Sequence, residues 1–162
     1  LGPVYGHQML NYNDQGDNQL ERVIESPNTD PDSRRHIISL WNPVQIDQMA
    51  LPPCYLYFQF FVKGEHLNMF ALQRSGDLFL GVPYDMALFT MILNHVAEAT
   101  GLKPNKVKMN IVDAHIYDNA TEQVKTYLDR PIQSSPTYTF ENNQVKLHNY
   151  KCGAPIKCSV AV

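Results

Sequence analysis

The chain has 162 residues, 44% of them hydrophobic and 18% charged, proportions that fit one ordinary globular domain and exclude a disordered chain, a collagen or a coiled coil. Thirteen Lys and Arg against sixteen Asp and Glu leave a formal charge of -3, so no global basic field holds nucleic acid and a charged ligand must be met locally. No apolar run reaches the roughly 20 residues of a membrane helix. The longest, from Met86 to Ala99, is broken by Thr90, Asn94, His95 and Glu98. Three cysteines, Cys54, Cys152 and Cys158, with no CxxC spacing, argue against a disulfide framework or a zinc cage. The expectation is a cytoplasmic protein that needs no metal and has neither nucleic acid nor membrane as partner. The opening residues, starting at Leu1, lack the features of a signal peptide and read like the interior of a protein.

In chain order, Asp17 is placed to cap a short helix carrying Leu20, Val23 and Ile24 and ending before Pro27. A polar turn, Asn28 to Ser33, leads through Arg34 and Arg35 into a β-branched strand, His36 to Trp41. Cys54 to Val62, a turn at Lys63-Gly64-Glu65, and His66 to Gln73 form a long hairpin. Pro83 opens a helix whose apolar residues, Met86, Phe89, Ile92, Leu93, Val96 and Ala97, cover most of its circumference before Gly101 stops it, which predicts a buried helix. Val107, Met109 and Ile111 alternate as a strand that runs on to Tyr117. A short helix spans Glu122 to Leu128, and a terminal strand follows Asn149. Hairpins mixed irregularly with helices indicate an α+β domain over residues 1–162, a twisted mixed sheet with a long buried helix and flanking helices.

Cys54 follows two prolines and precedes an aromatic strand, so its backbone is stiff and well aimed. An isolated Cys is commonly a buried inert thiol, whereas a nucleophile needs nearby positive charge. Arg34, Arg35 and Arg74 are three of five arginines. They suit solvated surface positions or, with Ser75, a phosphate pocket, because guanidinium forks match phosphate oxygens. His115 and Tyr117, two apart on a predicted strand, share a face and suit either a half-buried pair or a sugar hydroxyl. The remaining histidines show no metal spacing.

The order of these residues resembles the thymidylate synthase family from end to end. The carrying segments are Leu1-Gly-Pro-Val-Tyr-Gly-His-Gln8, Asp32-Ser33-Arg34-Arg35, Met49-Ala50-Leu51-Pro52-Pro53-Cys54, Gln73 to Pro83, Asp113-Ala114-His115-Ile116-Tyr117 and Val160-Ala161-Val162. The resemblance implies transfer of one carbon from 5,10-methylenetetrahydrofolate to C5 of a pyrimidine deoxynucleotide monophosphate. Cys54 would add to C6 of the ring and make C5 nucleophilic. Arg74 would bind phosphate and supply positive charge beside the thiol, and Tyr5 would join the nucleophile's hydrogen-bond network. Ser75 is implied as a phosphate ligand, joined by Arg34 and Arg35 reaching across from the second subunit of a homodimer. His115 and Tyr117 are implied at the deoxyribose 3'-hydroxyl. Asp77, Leu80, Gly81, Tyr84 and the carboxylate of Val162 are implied at the folate, the tail closing over it to exclude water.

Two departures from the family pattern matter. Asp85 stands where thymidylate synthases carry an Asn that reads the pyrimidine edge. A carboxylate accepts from the N4 amino group of cytosine, as in the similar bacteriophage deoxycytidylate hydroxymethylases, so dCMP is the expected substrate and a phage a reasonable source. Sites built around one hydrogen-bond pattern reject the wrong partner by roughly 10⁴ or more. The alternatives are that Asp85 caps the nearby helix, that the protein converts dUMP to dTMP, or that it is a non-catalytic nucleotide-binding remnant. The second departure is that the family's N-terminal region, with a further phosphate arginine, a general-base glutamate and the folate-flanking tryptophans, has no counterpart here. Tyr55 stands where many relatives have His and bears on how water is organised near the base. The choice between methyl and hydroxymethyl product stays open because the residues that govern it lie partly outside the chain, and the Val160-Ala161-Val162 tail leans towards methyl.

Overall fold

A computed structural model describes residues 1–141 and 144–160. It divides into two compact units, Leu1–His115 and Ile116–Val162.

The first unit opens with helix α1, Tyr5–Leu10, and helix α2, Gln19–Thr29. Asn18 rather than Asp17 caps α2, its side chain accepting from the Glu21 amide, while Asp17 pairs with Arg22 at 2.9 Å. The helix does not stop before Pro27. It continues to Thr29 because Val23 and Pro27 are both buried and the Asp30 amide still closes the last turn on Ser26. A missing proline N–H so near a helix end removes only one bond.

Strands β1, Ile37–Ser39, β2, Tyr55–Lys63, and β3, His66–Asp77, follow as an antiparallel set. Gly64 takes the left-handed conformation the turn requires. Helix α3, Val82–Thr100, then crosses to β4, Lys103–His115, which pairs with β3 in parallel. The sheet order is β1-β2-β3-β4, a mixed sheet in an α+β fold. Gly101, with φ 72°, ends α3 and returns the chain.

Alternation along the strands gives the sheet two unlike faces. Ile38, Phe58, Phe60, Leu67, Met69 and Ala71 point into a core completed by Phe89, Leu93, Val96 and Ala97 of α3 and Val23 of α2. The expected burial of α3 holds along that stripe only, for Met86 and Leu88 are exposed. The opposite face presents Ile37, Tyr57, Gln59, Phe61, Phe70 and Leu72, registered as Ile37 opposite Gln59, Gln59 opposite Phe70 and Tyr57 opposite Leu72. Within this unit Ile37 and Phe61 stay 39% and 46% exposed, so an apolar sheet face is left open.

The second unit holds a 3-10 turn, Asp118–Ala120, helix α4, Thr121–Leu128, and the antiparallel pair β5, Thr137–Glu141, and β6, Gln144–His148. The expected terminal strand after Asn149 is absent among the described residues, since no strand is formed over 149–160. That stretch holds Pro155 and Gly153 and lacks period-two alternation. Among the described residues no helix is long and apolar enough to cross a membrane.

Candidate active site

Cys54 ends the loop that enters β2, and both of its backbone groups are engaged. Its amide donates to the Tyr5 Oη at 3.0 Å, and its carbonyl accepts from the Arg74 amide at 2.8 Å. The Arg74 side chain extends the same grip: Nε donates to the Pro53 carbonyl at 2.9 Å and Nη2 to the Pro52 carbonyl at 3.0 Å. Three successive carbonyls ahead of β2 are thus satisfied by one residue of β3. Two prolines remove amides that would otherwise need partners. A guanidinium has five N–H donors, so three remain for an anion. The thiol is partly exposed.

One turn further back, the Ala50 amide donates to the Leu1 carbonyl at 3.0 Å. The ring of Tyr5 stacks on Tyr55 with centroids 4.2 Å apart, and Tyr55 meets Phe89 edge-on at 5.2 Å. Burial pushes the Tyr5 phenol up to about 12, with Cys54 and Asp85 contributing further fields, and burial raises the Tyr55 phenol as well. Both rings therefore stay neutral. Tyr5 accepts through its oxygen from the Cys54 amide.

Asp85 lies in the first turn of α3 but does not cap it. Gly81 occupies the cap position without a side-chain bond, and Asp85 Oδ2 instead accepts from Gln73 Nε2 at 2.6 Å. Burial raises the Asp85 carboxyl above the ordinary carboxylate range, the Gln73 bond pulling the other way. Gln73 is fully buried and its Oε1 has no partner among the described residues. Gln73 was not foreseen from the sequence. The signal was available, because a polar residue continues the inward series Leu67, Met69, Ala71 at period two.

At the C-terminal end of β3, Asp77 Oδ1 accepts from the amides of Phe79 and Leu80 at 2.9 and 3.2 Å, and its carbonyl accepts from the Gly81 amide. At Gly76 a Cβ would sit tightly against the side chains of Val82 and Ile111, which would have to give way. The parallel register sets Asp77 beside His115 and Ser75 beside Asp113, and the Leu78 amide donates to the His115 carbonyl. Tyr84 is 77% exposed on the first turn of α3. The strand expected to run on to Tyr117 ends at His115. Tyr117 instead precedes the 3-10 turn of the second unit, where its carbonyl accepts from the Ala120 amide and so leaves the ladder. Arg34 and Arg35 are exposed ahead of β1, and the Arg34 carbonyl accepts from Gln59 Nε2 on the open sheet face at 3.1 Å. No hydrogen bond or ion pair among the described residues joins either arginine to the Cys54 loop. Val162, with Ala161, lies outside the described residues, so the expected closing tail falls there too.

The model of the family described as thymidylate synthase matches residues 1–162. The chain belongs to the thymidylate synthase family. It is similar to the thymidylate synthase of Mycoplasma pneumoniae, 40% identical over 171 residues that cover 100% of this chain and 59% of that protein. It is likewise similar to the thymidylate synthase of Mycoplasma genitalium, 41% identical over 161 residues that cover 93% of this chain and 55% of that protein. The chain thus spans less than two thirds of the length of these relatives.

Proposed function

We propose that the chain carries the nucleophile and nucleotide-binding part of an enzyme that transfers one carbon from 5,10-methylenetetrahydrofolate to C5 of a pyrimidine deoxynucleotide monophosphate. The relatives' names favour dUMP as the nucleotide and dTMP as the product. The observation that carries this reading is the grip of Arg74 on the Pro52-Pro53-Cys54 carbonyls, which ties the loop of the nucleophile to a cation with N–H donors to spare.

C5 of the ring is a poor nucleophile. Addition of the Cys54 sulfur to C6 would move the ring's electron pair to C5, which takes the one-carbon unit as its bond to the folate nitrogen breaks. Loss of the C5 proton to a base and, later, of the sulfur from C6 returns the thiolate. The folate supplies the carbon and, for methylation, the hydride. Arg74 and Ser75 hold the phosphate, and His115 and Tyr117 the sugar hydroxyl. Asp77 suits a pterin, because its Oδ1 is taken by amides and Oδ2 remains to accept from a ring N–H. Leu80, Gly81, the exposed Tyr84 ring and Val162 complete the folate side.

The open apolar face of the sheet supports a homodimer. Gln59 on that face holds the Arg34 carbonyl, which suits Arg34 and Arg35 to a partner's phosphate site. A second reading, dCMP as substrate, is favoured by the carboxylate of Asp85, which stands where the resemblance implies a base-reading Asn.

The test is the natural protein incubated with 5-fluoro-dUMP and methylenetetrahydrofolate and examined by mass spectrometry. A covalent complex located on Cys54 and lost in Cys54→Ser is the expected result. No adduct on Cys54 defeats the reading. Turnover of dUMP and dCMP, followed by dihydrofolate formation and product mass, separates the two substrates.

A further inference from the structure

Asp85 is an unusual acid. It sits at the start of α3 with its Oδ2 bound by the fully buried Gln73 amide, and among the described residues no Lys, Arg or His pairs with it. The ionisable groups that feel its field are the phenols of Tyr5 from α1 and Tyr55 from β2, both neutral. Neither phenol offers it a positive charge. A carboxylate in such company lacks the partner that buried charges require.

The chemistry of the two pyrimidines sharpens this. Uracil offers an N3–H donor beside an O4 acceptor, and cytosine offers an N3 acceptor beside an N4 donor. An ionised carboxylate has acceptors only. It can satisfy one atom of either edge but sets an anion against the lone pair of the other. A protonated carboxyl carries one donor and one acceptor, and makes two hydrogen bonds with either edge according to which oxygen bears the proton. Gln73 donating to Oδ2 keeps that oxygen an acceptor and leaves the proton to Oδ1.

We infer that Asp85 reads the pyrimidine as a pair holding one proton, so that nucleotide binding takes up a proton and the base contact weakens as that proton is removed. This rests on the placement of Asp85 at the base made above and deepens it. With cytosine the proton can sit on the carboxyl or on N3, and the count is the same. The burial that raises the Asp85 carboxyl works in the same direction. An enzyme with Asn in this place would bind with no such uptake.

The experiment is calorimetric titration of the full natural protein with dUMP, dCMP and 2-deoxyribose 5-phosphate between pH 5 and 9, each in two buffers of different ionisation enthalpy, alongside Asp85→Asn. The sugar phosphate removes the contribution of phosphate ionisation. Expected is uptake approaching one proton for at least one of the two nucleotides at the alkaline end. Its affinity relative to the sugar phosphate should fall about tenfold per pH unit above the Asp85 titration, and both effects should vanish in Asp85→Asn. Tighter binding of a nucleotide than of the sugar phosphate, altered by Asp85→Asn but without proton uptake, overturns the inference and leaves Asp85 at the base. Nucleotides that bind no tighter than the sugar phosphate, and no differently in the variant, overturn both.

Discussion

Neighbouring residues of β3 look in opposite directions, and the two sides of the sheet do different work. On one side Gln73 continues the packed row of Leu67, Met69 and Ala71 and reaches Asp85 on α3. On the other, Arg74 continues the row of Phe70 and Leu72 and holds the Cys54 loop. The packed side fixes shape through aromatic contacts such as Phe58 with Phe89 at 5.0 Å. The open side combines exposed apolar rings with cations. The packed side is thus apolar except where Gln73 and Asp85 bring polar chemistry into it, and the open side carries the Arg74 grip on the Cys54 loop.

Substitutions can break this contrast in graded fashion. The largest effect on stability belongs to Phe58→Ala, which empties a fully buried site and should lower unfolding free energy by about 3–5 kcal/mol, read from urea denaturation. Next is Arg74→Lys, which keeps the charge but loses the fork that spans two carbonyls. Charge-assisted hydrogen bonds of about 1.5–3 kcal/mol translate into an adduct on Cys54 that forms about tenfold to a hundredfold more slowly, followed by stopped-flow with 5-fluoro-dUMP and folate. Phe61→Glu on the open face should change folding stability by less than about 0.5 kcal/mol while shifting sedimentation from dimer to monomer. An unchanged sedimentation coefficient would remove the open face as the interface.

The smallest effect is Asp85→Asn on thermal stability, and its sign depends on pH. Burial raises the folded carboxyl, so the stability Asp85 lends is complete below the ordinary value of about 4 and is lost as pH rises through the folded value. Asn has no such loss. The variant should therefore gain Tm relative to the parent as pH rises across that window and hold the gain above it.

Elements marked by local chemistry were legible in the sequence. Pro83 and Gly101 bracket α3, and Lys63-Gly64-Glu65 marks the turn between β2 and β3, because each acts on its own backbone. Pro27 misled for the opposite reason, since burial of Val23 and Pro27 by the rest of the unit outweighs the local preference. The site divides in the same way. Cys54 and Arg74 stand out as residue types, but the bonds between them span the loop and β3, and the Tyr5 contact joins positions 49 residues apart. The link between Gln73 and Asp85 crosses from strand to helix, and no motif records it. His115 and Tyr117 show the limit of periodicity, which places residues on a face only while the strand lasts.

The two clasps that join the opening segment to the nucleophile loop have a consequence for chain length. Leu1 bonds Ala50 and Tyr5 bonds Cys54, so residues 1–5 and 50–54 run as equal spans between fixed ends. At Gly2, whose φ is 78°, any Cβ would collide with the Gln48 carbonyl oxygen, which leaves no slack at the upper clasp. An insertion or deletion of one residue within either span would open one clasp or the other, so natural length variation should be confined to the stretches outside them.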